Sequence, residues 1–373
     1  MTSISRMPAL IECAFHTRQN HLFLSAPGQG KTTLILQTAA KICAERSRAK
    51  LITFDGGTLS PTDTAMSMPD MENLSIQKII DGRLPNYYDD PEGEGIIYVG
   101  EVPLMGTEAS KGMQKLWNHE DIGGSKKGEF KIPPGYVFIG DGQRTTDKSG
   151  AQRLTRSNAS RFVTHELEWD AEHGVDIAKT HYHPKVGAFL SRNPALVDNY
   201  DDVFGKERPA NDITLVEGNN GAWASLRSWS KVSGLTEYAE RSGFQIYPED
   251  LYARVGSGVG KSYEVFCAML DKLASLEEIA KHPDKAPVPG RMDEQFALST
   301  MLALTVKGDT FKPVAIYQNR YPPELQTVFF KIMNDRLTKQ GGPDTAAIRG
   351  TTEYKKWITA PHITKLLIGA TQS

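Results

Sequence analysis

Ser25-Ala26-Pro27-Gly28-Gln29-Gly30-Lys31-Thr32 is the stretch on which the reading of this chain turns. Before it, His21-Leu-Phe-Leu-Ser25 reads as a short buried strand. After it, Lys31 to Ala49 carries Leu34, Ile35, Thr38, Ile42 and Cys43 at helical spacing. A strand, a glycine-rich turn and a helix opening on Gly-Lys-Thr follow the phosphate-loop pattern G-x-x-x-x-G-K-[ST], with Ser25 in place of the first glycine. The chemistry explains the residue types. Backbone N–H groups of the turn and of the helix start point at phosphate oxygens, and small residues let them approach closely. Lysine reaches the β- and γ-phosphates, and the following hydroxyl ligates Mg²⁺. The expected nucleotide contacts are Pro27, Gly28, Gln29, Gly30, Lys31, Thr32 and Thr33, with Thr32 as the metal ligand and ATP and Mg²⁺ as cofactors.

Working outward, Lys50-Leu-Ile-Thr-Phe54, Gly95-Ile-Ile-Tyr-Val99, Tyr136-Val-Phe-Ile-Gly140 and Phe162-Val-Thr-His-Glu-Leu167 read as further strands, and Thr107–His119 as a helix. Strands alternating with helices predict an α/β fold with a largely parallel sheet. Ser60 to Glu94 reads as loops with one short helix, and Gly123 to Ile132 as a hairpin bearing Lys126, Lys127 and Lys131. Beyond Trp169 the pattern turns helical: Val175–Leu196, Ser225–Arg241, Glu249–Val255, Tyr263–Ala280, Asp293–Lys307 and Pro322–Gln340. A Pro-rich linker covers His282–Arg291.

P-loop ATPases hold Mg²⁺ with an Asp at the end of a neighbouring apolar strand, and in many of them the next Glu polarises the attacking water. Here that strand is followed by Gly100-Glu101. Glu101 is the candidate base, and the metal-binding acid is absent from its usual place.

The chain has 373 residues, 39% apolar and 24% charged, which suits a globular protein of two or three domains. A net charge of −2 offers no broad basic field for nucleic acid. Cys13, Cys43 and Cys267 are scattered and odd in number, which argues against a disulfide framework and for a reducing cytoplasm. No apolar run is long enough to span a membrane. Gly256-Ser-Gly-Val-Gly-Lys261-Ser262 resembles a second phosphate loop, but no apolar strand precedes it, and it reads as a link between helices. His173, His181 and His183 lack a Cys or acidic partner and read as ordinary helix residues. Trp117, Trp169, Trp223 and Trp229 read as core or packing residues.

The order of these motifs resembles the MoxR-type branch of the AAA+ family, from about Phe15 to the C-terminus. The segments carrying the resemblance are Gly100-Glu101-Val-Pro-Leu104, Tyr136 to Arg144, Leu154 to Phe162, Pro184 to Leu190, and Ala224 to Trp229. The resemblance implies an AAA+ α/β nucleotide-binding domain over 1–168, a helical lid over 169–280 and a helical C-terminal extension over 281–373. It implies that Gln143 occupies the sensor-1 position, that Arg161 is an arginine finger and that Arg227 is the lid's sensor-2 arginine. It also implies a head-to-tail ring, usually a hexamer, that remodels a client protein, often with a von Willebrand factor A domain partner. A segment within Ser60–Pro91 would be the client contact. The glycine at 100, and a glutamine at 143 where the family carries asparagine, leave open an ATP hydrolase of weak turnover, or a nucleotide-binding scaffold or switch. A nucleic-acid-associated motor is the third reading.

Overall fold

The structure, a computed structural model, describes residues 2–60, 65–71, 75–122, 130–147, 151–204 and 222–370. The chain divides into two compact units, Met1–Asp170 and Ala171–Ser373.

The first unit is built on a six-stranded sheet of β1 (Thr2–Ser3), β2 (His21–Leu24), β3 (Ala49–Asp55), β6 (Glu94–Gly100), β7 (Gly135–Gly142) and β8 (Val163–Glu168). Its strand order is β1-β8-β2-β7-β6-β3, and every pairing is parallel. A parallel sheet needs helical crossovers on both faces, so its central strands read as unbroken apolar runs. Ile96, Ile97, Tyr98 and Val99 of β6 and Tyr136 to Ile139 of β7 are indeed all buried. Alternation then sorts the side chains between two cores. Phe23, Ile96, Tyr98, Val137 and Ile139 pack with Ile11 and Phe15 of α1 (Met7–Thr17) and with Ile35 and Ala39 of α2 (Lys31–Ala44). Leu22, Ile97, Val99 and Phe138 pack on the other side with Ala109, Met113, Leu116 and Trp117 of α3 (Thr107–Trp117). Asn20 ties the β2 entrance to α3 and β7, donating to the Trp117 carbonyl (2.9 Å) and accepting from the Phe138 amide (2.9 Å).

One expectation needs correction in this unit. Within Ser60–Glu94, read from sequence as loops with a short helix, β4 (Ala65–Asp70) and β5 (Ser75–Ile80) form an antiparallel pair, with Ala65 opposite Ile80 and Asp70 opposite Ser75. The stretch shows little regular alternation, and a two-stranded ribbon is specified by its cross-strand pairing more than by local propensity. The Lys126 and Lys127 turn lies outside the described residues. Lys131 is described, and its ammonium lies over the Tyr87 ring at 5.4 Å.

The second unit is helical. The stretch read as mainly helical over Val175–Leu196 holds two helices, Ala171–His181 and Pro184–Arg192, and Pro184 starts the second. His183 caps the new helix by accepting the Lys185 amide (3.2 Å), and its Nε2 lies 3.0 Å from Glu240. Leu226–Ser242 is capped by Ser225 and ends on left-handed Gly243. Trp229, fully buried, packs with Phe189 and Tyr263 and donates to the Leu196 carbonyl (2.8 Å). The glycine-rich Gly256–Ser262 segment is mostly not a link. Only Gly256 (φ 84°) is irregular, and helix Ser257–Leu270 takes up the rest. Met292–Thr305 packs along Pro184–Arg192, so the C-terminal helices share one unit with the preceding ones. Their own core gathers Phe311, Phe329, Phe330, Tyr354 and Trp357. No helix among the described residues is long and apolar enough to cross a membrane.

His21 lies buried in β2 with its Nδ1 3.1 Å from Nε2 of His165 on β8. Burial, and secondarily the neighbouring His165, lower its pKa from 6.5 to about 4. Between those values the unfolded chain binds a proton that the folded chain refuses. Its stabilising contribution is therefore complete above pH 6.5 and lost as pH falls towards 4, at about 1.4 kcal/mol per pKa unit. Urea unfolding at pH 7 and pH 4.5 should show this loss, and His21→Gln should flatten that part of the profile. An equally steep profile in the variant would assign the acid sensitivity elsewhere.

Candidate functional site

β2, β6 and β7 end side by side, and the loop of Ser25–Gly30 leaves β2 at that edge. The carboxyl ends of parallel strands are where open α/β sheets place ligands. The Ser25 amide donates to the Gly142 carbonyl (3.2 Å), extending the β2–β7 pairing by one step before the chain turns. Gly28 and Gly30 both take φ +83°, a backbone region closed to most side chains. Gly30 is the N-cap of α2, and the first α2 amide bonded to a carbonyl of this turn is that of Leu34, to Gly30 (3.0 Å). The first turn of α2, ahead of that bond, presents its amides at the head of the helix, which is an anion-binding arrangement.

Lys31 is only 7% exposed, and its ammonium donates to the carbonyls of Ser25 (3.2 Å) and Ala26 (2.9 Å). The loop thus wraps its own lysine. The Gln29 side chain is buried beside it, with Oε1 lacking a hydrogen-bond partner.

Thr32 donates through Oγ1 to Oδ2 of Asp141 (2.7 Å), near the end of β7. The other oxygen of Asp141 accepts the backbone N–H of Glu101 (3.0 Å). That bond holds Glu101 in a left-handed conformation (φ 50°, ψ 43°), uncommon for a residue with a side chain. Glu101 Oε2 is buried without a hydrogen-bond partner. Burial raises the pKa of this carboxyl, and the Asp141 charge adds to the rise. The Gln143 side chain and the Lys31 charge oppose both. Tyr98, two residues before Gly100, sets its hydroxyl against Thr32 and Asp141, and burial pushes its pKa upward.

The fold therefore brings Gly28, Gln29, Gly30, Lys31, Thr32, Glu101 and Gln143 to one place. Arg161 instead turns back on Ser157 of the short helix just before it, Arg156–Ala159, donating to its hydroxyl (2.8 Å) and its carbonyl. Arg227 is exposed in the first turn of helix Leu226–Ser242, in the second unit. Sequence reasoning missed Asp141 and Tyr98. The available signal was an acid buried at the end of an apolar strand, in Tyr136-Val-Phe-Ile-Gly-Asp141.

Hydroxyl and carboxylate oxygens suit a hard cation such as Mg²⁺, and the buried, partnerless Glu101 oxygen and Gln29 oxygen leave acceptors for ligands. The residues therefore fit a Mg²⁺-nucleotide, with Thr32 and the head of α2 as its anchors.

No protein-family model matches the chain, and no curated protein matches it. Among solved structures, it is similar to a putative ATPase from Cytophaga hutchinsonii at 11% identity, over 95% of this chain and 90% of that one, with a TM-score of 0.31. It is also similar to NtrX from Brucella abortus at 15% identity, over 96% of this chain and 69% of that one, with a TM-score of 0.39.

A methyl group at position 30 would have to sit at φ +83°. Gly30→Ala should cost about 1–2 kcal/mol and shift the start of α2, which thermal unfolding of the two proteins would measure. Unchanged stability would mean that the loop rests in another backbone conformation.

Proposed function

We propose that this chain is a MoxR-like AAA+ ATPase, binding ATP with Mg²⁺ and hydrolysing it as one subunit of a head-to-tail ring that remodels a client protein. One observation carries the reading: a left-handed glycine loop encloses a buried Lys31, while Thr32 and Glu101 are hydrogen-bonded to a shared carboxylate beside it.

In this reading the loop amides and the α2 head bind the phosphates, and Lys31 exchanges the Ser25 and Ala26 carbonyls for the β- and γ-phosphate oxygens. Mg²⁺ supplies charge neutralisation on those oxygens when bound. Glu101 orients the attacking water and takes its proton. Its half-buried setting beside Asp141 raises its proton affinity in the direction a base requires. Gln143, next to the Glu101 carboxylate, positions it. Arg161 and Arg227 act as finger and lid arginines once a neighbouring subunit and the nucleotide are in place. A closed ring follows from such heterologous contacts, a hexamer on the family pattern. Its partner would be a client or a von Willebrand factor A domain protein, and its setting the cytoplasm.

Gly100 favours a second reading, a nucleotide-binding scaffold or switch with little turnover. Measuring Mg²⁺-dependent ATP hydrolysis alongside size-resolved assembly separates the two. The ATPase reading expects ring-sized, active wild type, loss of nucleotide binding in Lys31→Ala, and a drop in turnover of roughly 100-fold or more with binding retained in Glu101→Gln. Wild-type turnover no higher than that of Glu101→Gln would select the scaffold. Absence of ATP binding by the wild type would end both readings.

A further inference from the structure

The ATPase reading expects an acid after the third strand of the sequence, where this chain has Gly100. β6 and β7 run parallel with Tyr98 beside Ile139 and Val99 beside Gly140, so the next step places Gly100 beside Asp141. Tyr98, Gly100, Ile139 and Asp141 alternate onto the same face of the sheet, the one that α2 covers. A carboxylate moved sideways by one strand at this level still meets the phosphate-loop hydroxyl, and Asp141 lies 2.7 Å from Thr32 Oγ1.

The position is also taken up by a neighbouring side chain. A Cβ built on Gly100 would lie 2.9 Å from the Tyr98 hydroxyl oxygen, closer than real Cβ contacts come, so an aspartate there would displace that ring. Tyr98 is 5% exposed, and its hydroxyl occupies the space beside Thr32 and Asp141. Tyr98, Gly100 and Asp141 form one substitution set: the acid on β7, the hydroxyl on β6, and glycine where the two would collide.

Building on the ATP-binding reading above, we infer that Asp141 is the protein carboxylate that, with Thr32, holds the Mg²⁺ of the bound nucleotide, in place of an acid at position 100. The Thr32 hydroxyl gives its proton to Asp141 and so keeps its lone pairs for a cation. Mg²⁺ binds through few protein oxygens and keeps several waters, so one carboxylate and one hydroxyl are a sufficient protein contribution. The same Asp141 accepts the Glu101 amide, so occupancy of the metal position and placement of the proposed base are coupled through a single side chain.

The test is the affinity of the full chain for a fluorescent N-methylanthraniloyl ATP, with Mg²⁺ and with EDTA. The wild type should bind more tightly with Mg²⁺. Asp141→Asn should keep its affinity in EDTA and lose about 10-fold or more of the Mg²⁺-dependent gain. Adding Gly100→Asp and Tyr98→Phe to Asp141→Asn should return part of it, because the acid is restored from the other strand into the space the hydroxyl leaves. A variant-free measurement runs in parallel. With Fe²⁺ replacing Mg²⁺ on ATP, ascorbate and peroxide should cleave the wild-type backbone at 140–142 as well as near Thr32. A folded Asp141→Asn with an undiminished Mg²⁺ gain, or Fe²⁺ cleavage that spares 140–142, would overturn the assignment of Asp141 while leaving ATP binding intact. A wild type that binds no ATP under either condition would remove the assignment together with the function it rests on.

Discussion

The Thr32–Asp141 hydrogen bond joins the two halves of the candidate site, and the other contacts are arranged around it. It spans 109 residues of sequence and closes the phosphate loop onto the central strand of the sheet. Buried charges persist only when they are paired or hydrogen-bonded. Here Lys31 is met by two loop carbonyls, Asp141 by a hydroxyl and an amide, and the Glu101 carboxylate by the Gln143 side chain. One cation, Lys31, and three carboxylates, Asp55, Glu101 and Asp141, at a partly buried edge give an excess of negative charge, which a divalent cation bound to phosphate would redistribute.

The scaffold holding this cluster is stiff where the chemistry needs registry and irregular where it needs access. β6 and β7 are buried on both faces, so a slip of one residue would exchange two apolar cores and is strongly opposed. That fixes Gly100 and Asp141 at the same level. At the strand ends the backbone departs from the regular pattern, at Gly28, Gly30 and Glu101. Positive φ at a glutamate is sustained because its amide is anchored on Asp141 and because the Val102–Leu104 turn follows at once. Strain of this kind tends to gather at functional positions. Of the non-glycine residues with left-handed backbone in this unit, Glu101 lies at the edge where nucleotide would bind, and Arg18 and His119 lie away from it at helix ends.

The second unit has a different logic. Its helices are defined by caps and aromatic packing, with Trp229 bridging Phe189 and Tyr263, and Trp357 closing on Phe329 and Phe330. The lysine of its glycine-rich Gly256–Ser262 segment sits in an ordinary helix, without the strand and turn that make a phosphate loop. A motif becomes a site through the backbone around it, and this chain holds both cases.

Much of the fold was legible in the sequence. Apolar runs at 95–99 and 136–140, short and bounded by glycine, read as buried strands, and the Gly-Gln-Gly-Lys-Thr turn between a strand and a helix called for glycines with unusual backbone angles. Local composition and periodicity determine such features because they act over neighbouring residues. The β4–β5 pair was not legible, since its partners lie in a stretch with weak alternation and are defined by each other. The helix start at Pro184 was legible in the residue itself, since proline suits the first turn of a helix. Least legible was the role of Asp141. Read along the chain, the metal-binding acid is missing at Gly100. Only the sheet sets β7 between the phosphate-loop strand and β6, and so brings a carboxylate from one strand over to the hydroxyl of Thr32. Side-by-side placement of parallel strands is decided by which faces bury together, and no local pattern records it.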